Sequence, residues 1–89
     1  MAIQTFALAT PAAYPTDPNV LFDFQPKKIT FRLNDATAGR TVTISLNGVA
    51  DHIVLSVDAG LKEYVCEQRH SQFWAKGSGS AALSAIAES

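Results

Sequence analysis

A chain of 89 residues has room for one domain, which at this size buries roughly 60% of the surface its unfolded form exposes. Seven Lys and Arg against eight Asp and Glu leave a net charge of −1, so no broad field draws nucleic acid or an anionic membrane. Only 17% of residues are charged, against about 25% in ordinary soluble domains, and this neutrality resembles the charge-depleted centres of protein interfaces. The single cysteine, Cys66, excludes an internal disulfide, and no Cys/His cluster offers a structural zinc site. No cofactor is expected. No uncharged apolar run reaches the roughly 18 residues that span a bilayer. Met1 to Ala13 is small and apolar but has no Lys or Arg, so it reads as mature protein made in the cytoplasm rather than as a secretory signal.

All four prolines, Pro11, Pro15, Pro18 and Pro26, fall in the first 26 residues. Proline lacks a donor and holds its predecessor in extended geometry, so residues 1–26 are expected to form an extended N-terminal arm. Two short strands are expected within it, Ile3 to Ala9 and Val20 to Phe24. In the second, Leu21 and Asp23 face one way and Phe22 and Phe24 the other. Tyr14, Phe22 and Phe24 then need cover, either on their own domain or on a neighbouring molecule.

From residue 27 to 89 the apolar period is close to two, which is the signature of strands. Ile29, Phe31 and Leu33 alternate with Lys28, Thr30 and Arg32. After the loop Asn34 to Gly39, the strand Arg40 to Leu46 places Val42, Ile44 and Leu46 inward and Thr41, Thr43 and Ser45 outward. Asn47-Gly48 opens a turn that runs through Asp51, and His52 to Val57 follows with Ile53, Leu55 and Val57 inward. A further strand is expected over Leu61 to Gln68. Gln72 to Lys76 and Ala82 to Ala87 flank Gly77-Ser78-Gly79-Ser80, which reads as the loop of a terminal hairpin, with a short helix as the alternative for residues 82–87. Five to seven strands separated by regular turns predict an all-β fold, a small antiparallel β-sandwich or barrel of jelly-roll or immunoglobulin-like type.

The candidate chemistry is sparse. His70 and Ser71 are adjacent on extended chain and point to opposite faces, so they read as a solvated turn rather than as a base and its nucleophile. His52 and His70 lack ligand spacing. Glu63 and Glu67 share a strand face, but nothing nearby desolvates one of them to separate their pKa values, so they read as solubilising charges. Cys66 reads as a small buried hydrophobe. Lys27, Lys28 and Arg32 form a basic spot without exposed aromatics on which bases could stack. No enzyme, metal site, nucleic-acid site or membrane anchor is expected.

Trp74 is the most informative residue. With Phe73 and Ala75 inward it stands on the outer face as an interface anchor; in the inverted register it is core and Phe73 is outside. Tyr14, Phe22, Phe24 and Trp74 are the candidate protein-interface residues.

The runs ITFRLND, TVTISLNGVADHIVL and FWAKGSGSAALSAIA resemble the small β-sandwich virion proteins of tailed bacteriophages. Ser45, Asn47, Gly48, Asp51, Trp74, Lys76, Gly77 and Gly79 carry this resemblance, which covers about Pro26 to Glu88. It implies a structural protein of the virion, made in the host cytoplasm. Such a subunit would act as a capsid cement or decoration protein, or at the head-to-tail junction. Its partners would be copies of itself and other virion proteins such as the major capsid protein, engaged through the arm and the sheet edges. The alternative is a carbohydrate- or ligand-binding β-sandwich with Trp74 and Tyr64 as a platform. On the arm-and-domain reading, deleting Met1 to Gln25 leaves a folded β domain that assembles poorly.

Overall fold

The computed structural model describes residues 3–67 and 70–89 and, among them, forms eight strands and one short 3-10 turn. The strands are β1 (Ile3–Ala9), β2 (Val20–Leu21), β3 (Lys28–Leu33), β4 (Thr41–Ser45), β5 (Ile53–Ser56), β6 (Glu63–Cys66), β7 (Gln72–Gly77) and β8 (Ala82–Glu88). The pairing is nested. β1 lies against β8, β2 against β7, β3 against β6 and β4 against β5, all antiparallel, so the chain doubles back as one long hairpin. Two further pairings, β3 with β8 and β4 with β7, roll that hairpin into two four-stranded sheets. Their orders are β1-β8-β3-β6 and β2-β7-β4-β5. This is the winding of a jelly roll, within the all-β sandwich expected from the alternation.

The nesting decides where the first 26 residues go. β1 is an end strand of the first sheet and β2 an end strand of the second, so the proline-containing segment packs on its own domain. Val20 and Phe22 are buried in the core, with Phe6, Leu8 and Phe24 against it. The radius of gyration of 12.0 Å equals the value of about 12 Å for a compact chain of this length. The change at residue 26 is therefore one of composition and not of packing. Met1 and Ala2 lie outside the described residues.

The core forms where the inward rows of the two sheets meet. Phe31 of β3 and Phe73 of β7 cross it edge to face, with ring centroids 4.9 Å apart. Phe73 continues to Phe22 at 6.0 Å, and Phe22 to Phe6 at 5.4 Å. Such pairs add about 0.5–1.5 kcal/mol each to what burial of the rings contributes. The alanines of β8 have a packing role here. Ala85 stands between Phe6 on β1 and Phe31 on β3, and its small side chain leaves room for a ring on either side.

Two expectations need correction, and one alternative is decided. β7 and β8 do not form a terminal hairpin, because β7 pairs with β2 and β4 while β8 pairs with β1 and β3. The Gly-Ser-Gly-Ser segment is a corner between the two sheets, and its 3-10 turn spans Ser78–Ser80. Residues 82–88 are strand, and the helical alternative falls. Ser45, expected on an open outer face, is fully buried for a reason given below. The strand expected over Leu61 to Gln68 is observed as β6, while Gln68 itself lies outside the described residues.

Candidate functional site

The residues that carry the virion-protein resemblance gather on the outer face of the second sheet and at the adjoining corner. Ser45 on β4 stands opposite Trp74 on β7, and Thr43 opposite Lys76. The β4–β5 connection folds back over this face. The Ser45 hydroxyl accepts the N–H of Gly48 at 2.9 Å and donates to Asn47 Oδ1 at 3.0 Å. Asn47 Oδ1 in turn accepts the N–H groups of Val49 at 2.8 Å and Ala50 at 2.9 Å. Behind the turn, the N–H of Leu46 donates to His52 Nδ1 at 3.0 Å. A Ser and an Asn that satisfy backbone donors in this way fix a tight turn without regular structure.

That turn is a lid on Trp74. Gly48 lies against the indole, which is only 9% exposed although it is on the outward side of β7. Phe73 and Ala75 point into the core with no exposure, so the register is the one that places Trp74 outside. Of the two sequence readings, the outward register is the observed one, and it is the chain itself that covers the indole. Ser45 is buried under the same cover.

Next to the lid, Tyr14, Asp51 and Lys76 form a clasp. The Tyr14 hydroxyl donates to Asp51 Oδ1 at 2.6 Å, Lys76 Nζ lies 3.5 Å from the same oxygen, and the ammonium sits 4.5 Å from the centroid of the Tyr14 ring. Desolvation, then the hydrogen bond to Asp51 and its negative charge, push the Tyr14 phenol well above its ordinary range. The hydrogen bond from Tyr14, aided by the charge of Lys76, holds the Asp51 carboxyl below the usual carboxylate range. The clasp ties the N-terminal segment to the β4–β5 loop across β7.

Of the four candidate interface residues, Phe22 is turned into the core and Trp74 is buried with Gly48 against its indole, so neither presents an open face in the single chain. Tyr14 and Phe24 are half-buried. Tyr64, the other half of the expected sugar platform, belongs to β6 of the opposite sheet, and the two rings do not form one surface. Tyr64 instead lines a cleft of about 430 Å³ where the sandwich opens between the end strands β5 and β6, with Leu46, Ile53 and the buried Cys66 among its walls. Among the described residues, no three His, Cys, Asp or Glu side chains gather where a metal could be held. The basic spot is interleaved with acid, since Lys28 stands opposite Glu88 and Arg32 opposite Glu63.

Sequence reasoning did not single out the end strand β1. It reads IQTFALA, seven residues with no charge and no proline, along one side of the first sheet. The signal was present as an uncharged strand, but its place at the sheet's end is a property of topology alone. No known protein-family model matches the chain, and no curated protein matches it at a significant level.

Proposed function

We propose that this chain is a structural virion protein of a tailed bacteriophage, a capsid cement or decoration subunit that assembles through its N-terminal segment and sheet edges. The observation that carries the reading is the long uncharged end strand β1 on a small, charge-poor jelly roll. Jelly rolls recur in viral capsid domains and also in lectins, so the fold by itself does not choose between them. The resemblance of the β3, β4, β5, β7 and β8 sequences to small virion proteins favours the first. Exposed apolar side chains on several outer positions, Leu21, Val54, Val65 and Ile86 among them, suit a subunit that is covered in a larger assembly. In a symmetric shell, many modest contacts add up to firm attachment through effective concentration.

The test is made on gradient-purified particles of the phage whose genome encodes the chain. Mass spectrometry is expected to find it in fixed stoichiometry with the major capsid protein, and purified chain is expected to sediment saturably with heads stripped of it. Particles that contain none of the chain, together with heads that fail to retain it, overturn the proposal.

A further inference from the structure

We infer that β1 is a self-pairing edge: two copies of the chain join their β1 strands antiparallel about a two-fold axis and make the first sheets of both copies continuous. The inference deepens the assembling-subunit reading and rests on it, naming the edge, the partner and the register.

Four strands end the two sheets, and they are not equally open. β2 has two residues, and β5 and β6 have four each. β6 also begins at Glu63 and is bracketed by Lys62 and Glu67, and β5 lies between Asp51 and Asp58. Short length and flanking charge are the usual protections of a sheet edge. β1 has neither, with seven residues, no charge, no proline and pairing to β8 unbroken by a bulge from Ile3 to Ala9. Gln4 holds the Asp23 carboxylate at 3.1 Å, but β1 itself carries no charged side chain, so its own residues meet no like-charge repulsion when the strand is placed against itself, and a second copy is the partner its composition admits most simply.

The burial of β1 points the same way. Its inward side chains Gln4, Phe6 and Leu8 are only half-buried, although the inward residues of its neighbour β8, Leu83, Ala85 and Ala87, have no exposure. The core is unfinished at this side. Across a two-fold axis, inward residues must face inward residues, and the register that pairs the whole strand sets Phe6 opposite Phe6 of the second copy. Gln4 then meets Leu8, and on the outer face Thr5 meets Ala7 and Ile3 meets Ala9. Ile3, 61% exposed in the single chain, gains a neighbour in this arrangement. Cross-strand neighbours of this kind are the unit by which sheets are stabilised.

The register gives a test that composition alone would not. Thr5 and Ala7 are exposed on the outer face, so charges there leave the core of the single chain untouched. In T5K/A7K every lysine meets a lysine of the second copy. In T5K/A7E every lysine meets a glutamate. Light scattering coupled to size-exclusion chromatography of the full chain, over a dilution series, reads the association. The wild type and T5K/A7E are expected to dimerise, and T5K/A7K to dissociate at least about tenfold more readily, with unchanged far-ultraviolet circular dichroism. Equal association of the two variants overturns the proposed register. A wild type that stays monomeric throughout overturns self-pairing, while the retention of the chain on heads, measured separately, still decides the virion reading.

Discussion

Gly48 rests directly on the indole of Trp74: a Cβ built at this glycine would lie 2.9 Å from Trp74 Cε2. The backbone there also has φ of +80°, which side chains with a Cβ rarely adopt. Gly48→Ala therefore combines strain with a collision against a ring held from below by its own sheet, and is expected to cost about 2 kcal/mol or more. Gly60→Ala has a similar φ of +70° and open space, and should cost only about 1 kcal/mol. Urea denaturation of both separates the two effects. Equal losses would mean that the indole yields freely and that the lid is not tight.

Trp74 itself should behave as a buried residue despite its outward register. Trp74→Ala is expected to lower the stability of the single chain by about 3–5 kcal/mol, because it empties the space between the sheet and Gly48 that the buried indole fills. An interface anchor would give the opposite pattern, with a nearly unchanged melting temperature and weakened association. Calorimetry at a concentration low enough to exclude association distinguishes them.

The Tyr14–Asp51–Lys76 clasp predicts a pH dependence at both ends. The lowered Asp51 pKa means that its contribution is present above the ordinary carboxylate range and is lost as pH falls through its folded value. The raised Tyr14 pKa means that the phenol's contribution is present below the ordinary tyrosine range and is lost as pH rises through its folded value. Tyr14→Phe removes the hydrogen bond, so its melting temperature should fall below the wild type's most between about pH 5 and pH 9. The gap should close at the acid end. Melting curves of the two proteins that run parallel from acid to alkaline pH would show that the clasp is not linked to folding.

The strands were legible because alternation survives wherever one face of a sheet is buried. Ile29, Phe31 and Leu33, or Val42 and Ile44, announce their inward side without help from the rest of the chain. Parity does not say what lies over the other face. Ser45 was placed outward and Trp74 was left between two registers; both stand on the outer face, yet both are buried because the loop after β4 returns over them. Gly-Ser-Gly-Ser serves equally as a hairpin loop and as a corner between sheets, and only the partners of β7 and β8 decide. Tyr14, Asp51 and Lys76 are far apart in sequence and come together only through the nesting, so no local spacing could have grouped them.

Thr10 fastens the end of β1 to the corner. It is 2% exposed, and its hydroxyl donates to the carbonyl of Ala81 at 2.8 Å, while the neighbouring Pro11 carbonyl accepts the N–H of Gly77 at 2.8 Å. Thr10→Val keeps the shape and removes the donor. The Ala81 carbonyl still accepts the Thr10 backbone N–H at 3.1 Å, so it is not left wholly without a partner. A loss of about 1 kcal/mol is expected. Hydrogen exchange should show faster opening of the Gly77 amide in the variant, whereas unchanged exchange would place the strength of this corner in the backbone bonds alone.

Removal of residues 1–25 sets the nested fold against the expectation of a detachable arm. The deletion takes away both β1 and β2 and with them Phe6, Leu8, Val20, Phe22 and Phe24, five apolar side chains in or against the core. Full burial of such a side chain is worth about 1.5–3 kcal/mol, so their combined loss is comparable with the roughly 5–15 kcal/mol by which a whole domain is stable. The truncated chain also exposes the flank of β8, a new open edge beside alanines that no longer have Phe6 over them. It is expected to lose its cooperative thermal transition and most of its β-sheet circular dichroism. A truncated chain that melted cooperatively would mean that β3 to β8 close a sandwich unaided, and would restore the N-terminal segment as an arm free to lie along a neighbour.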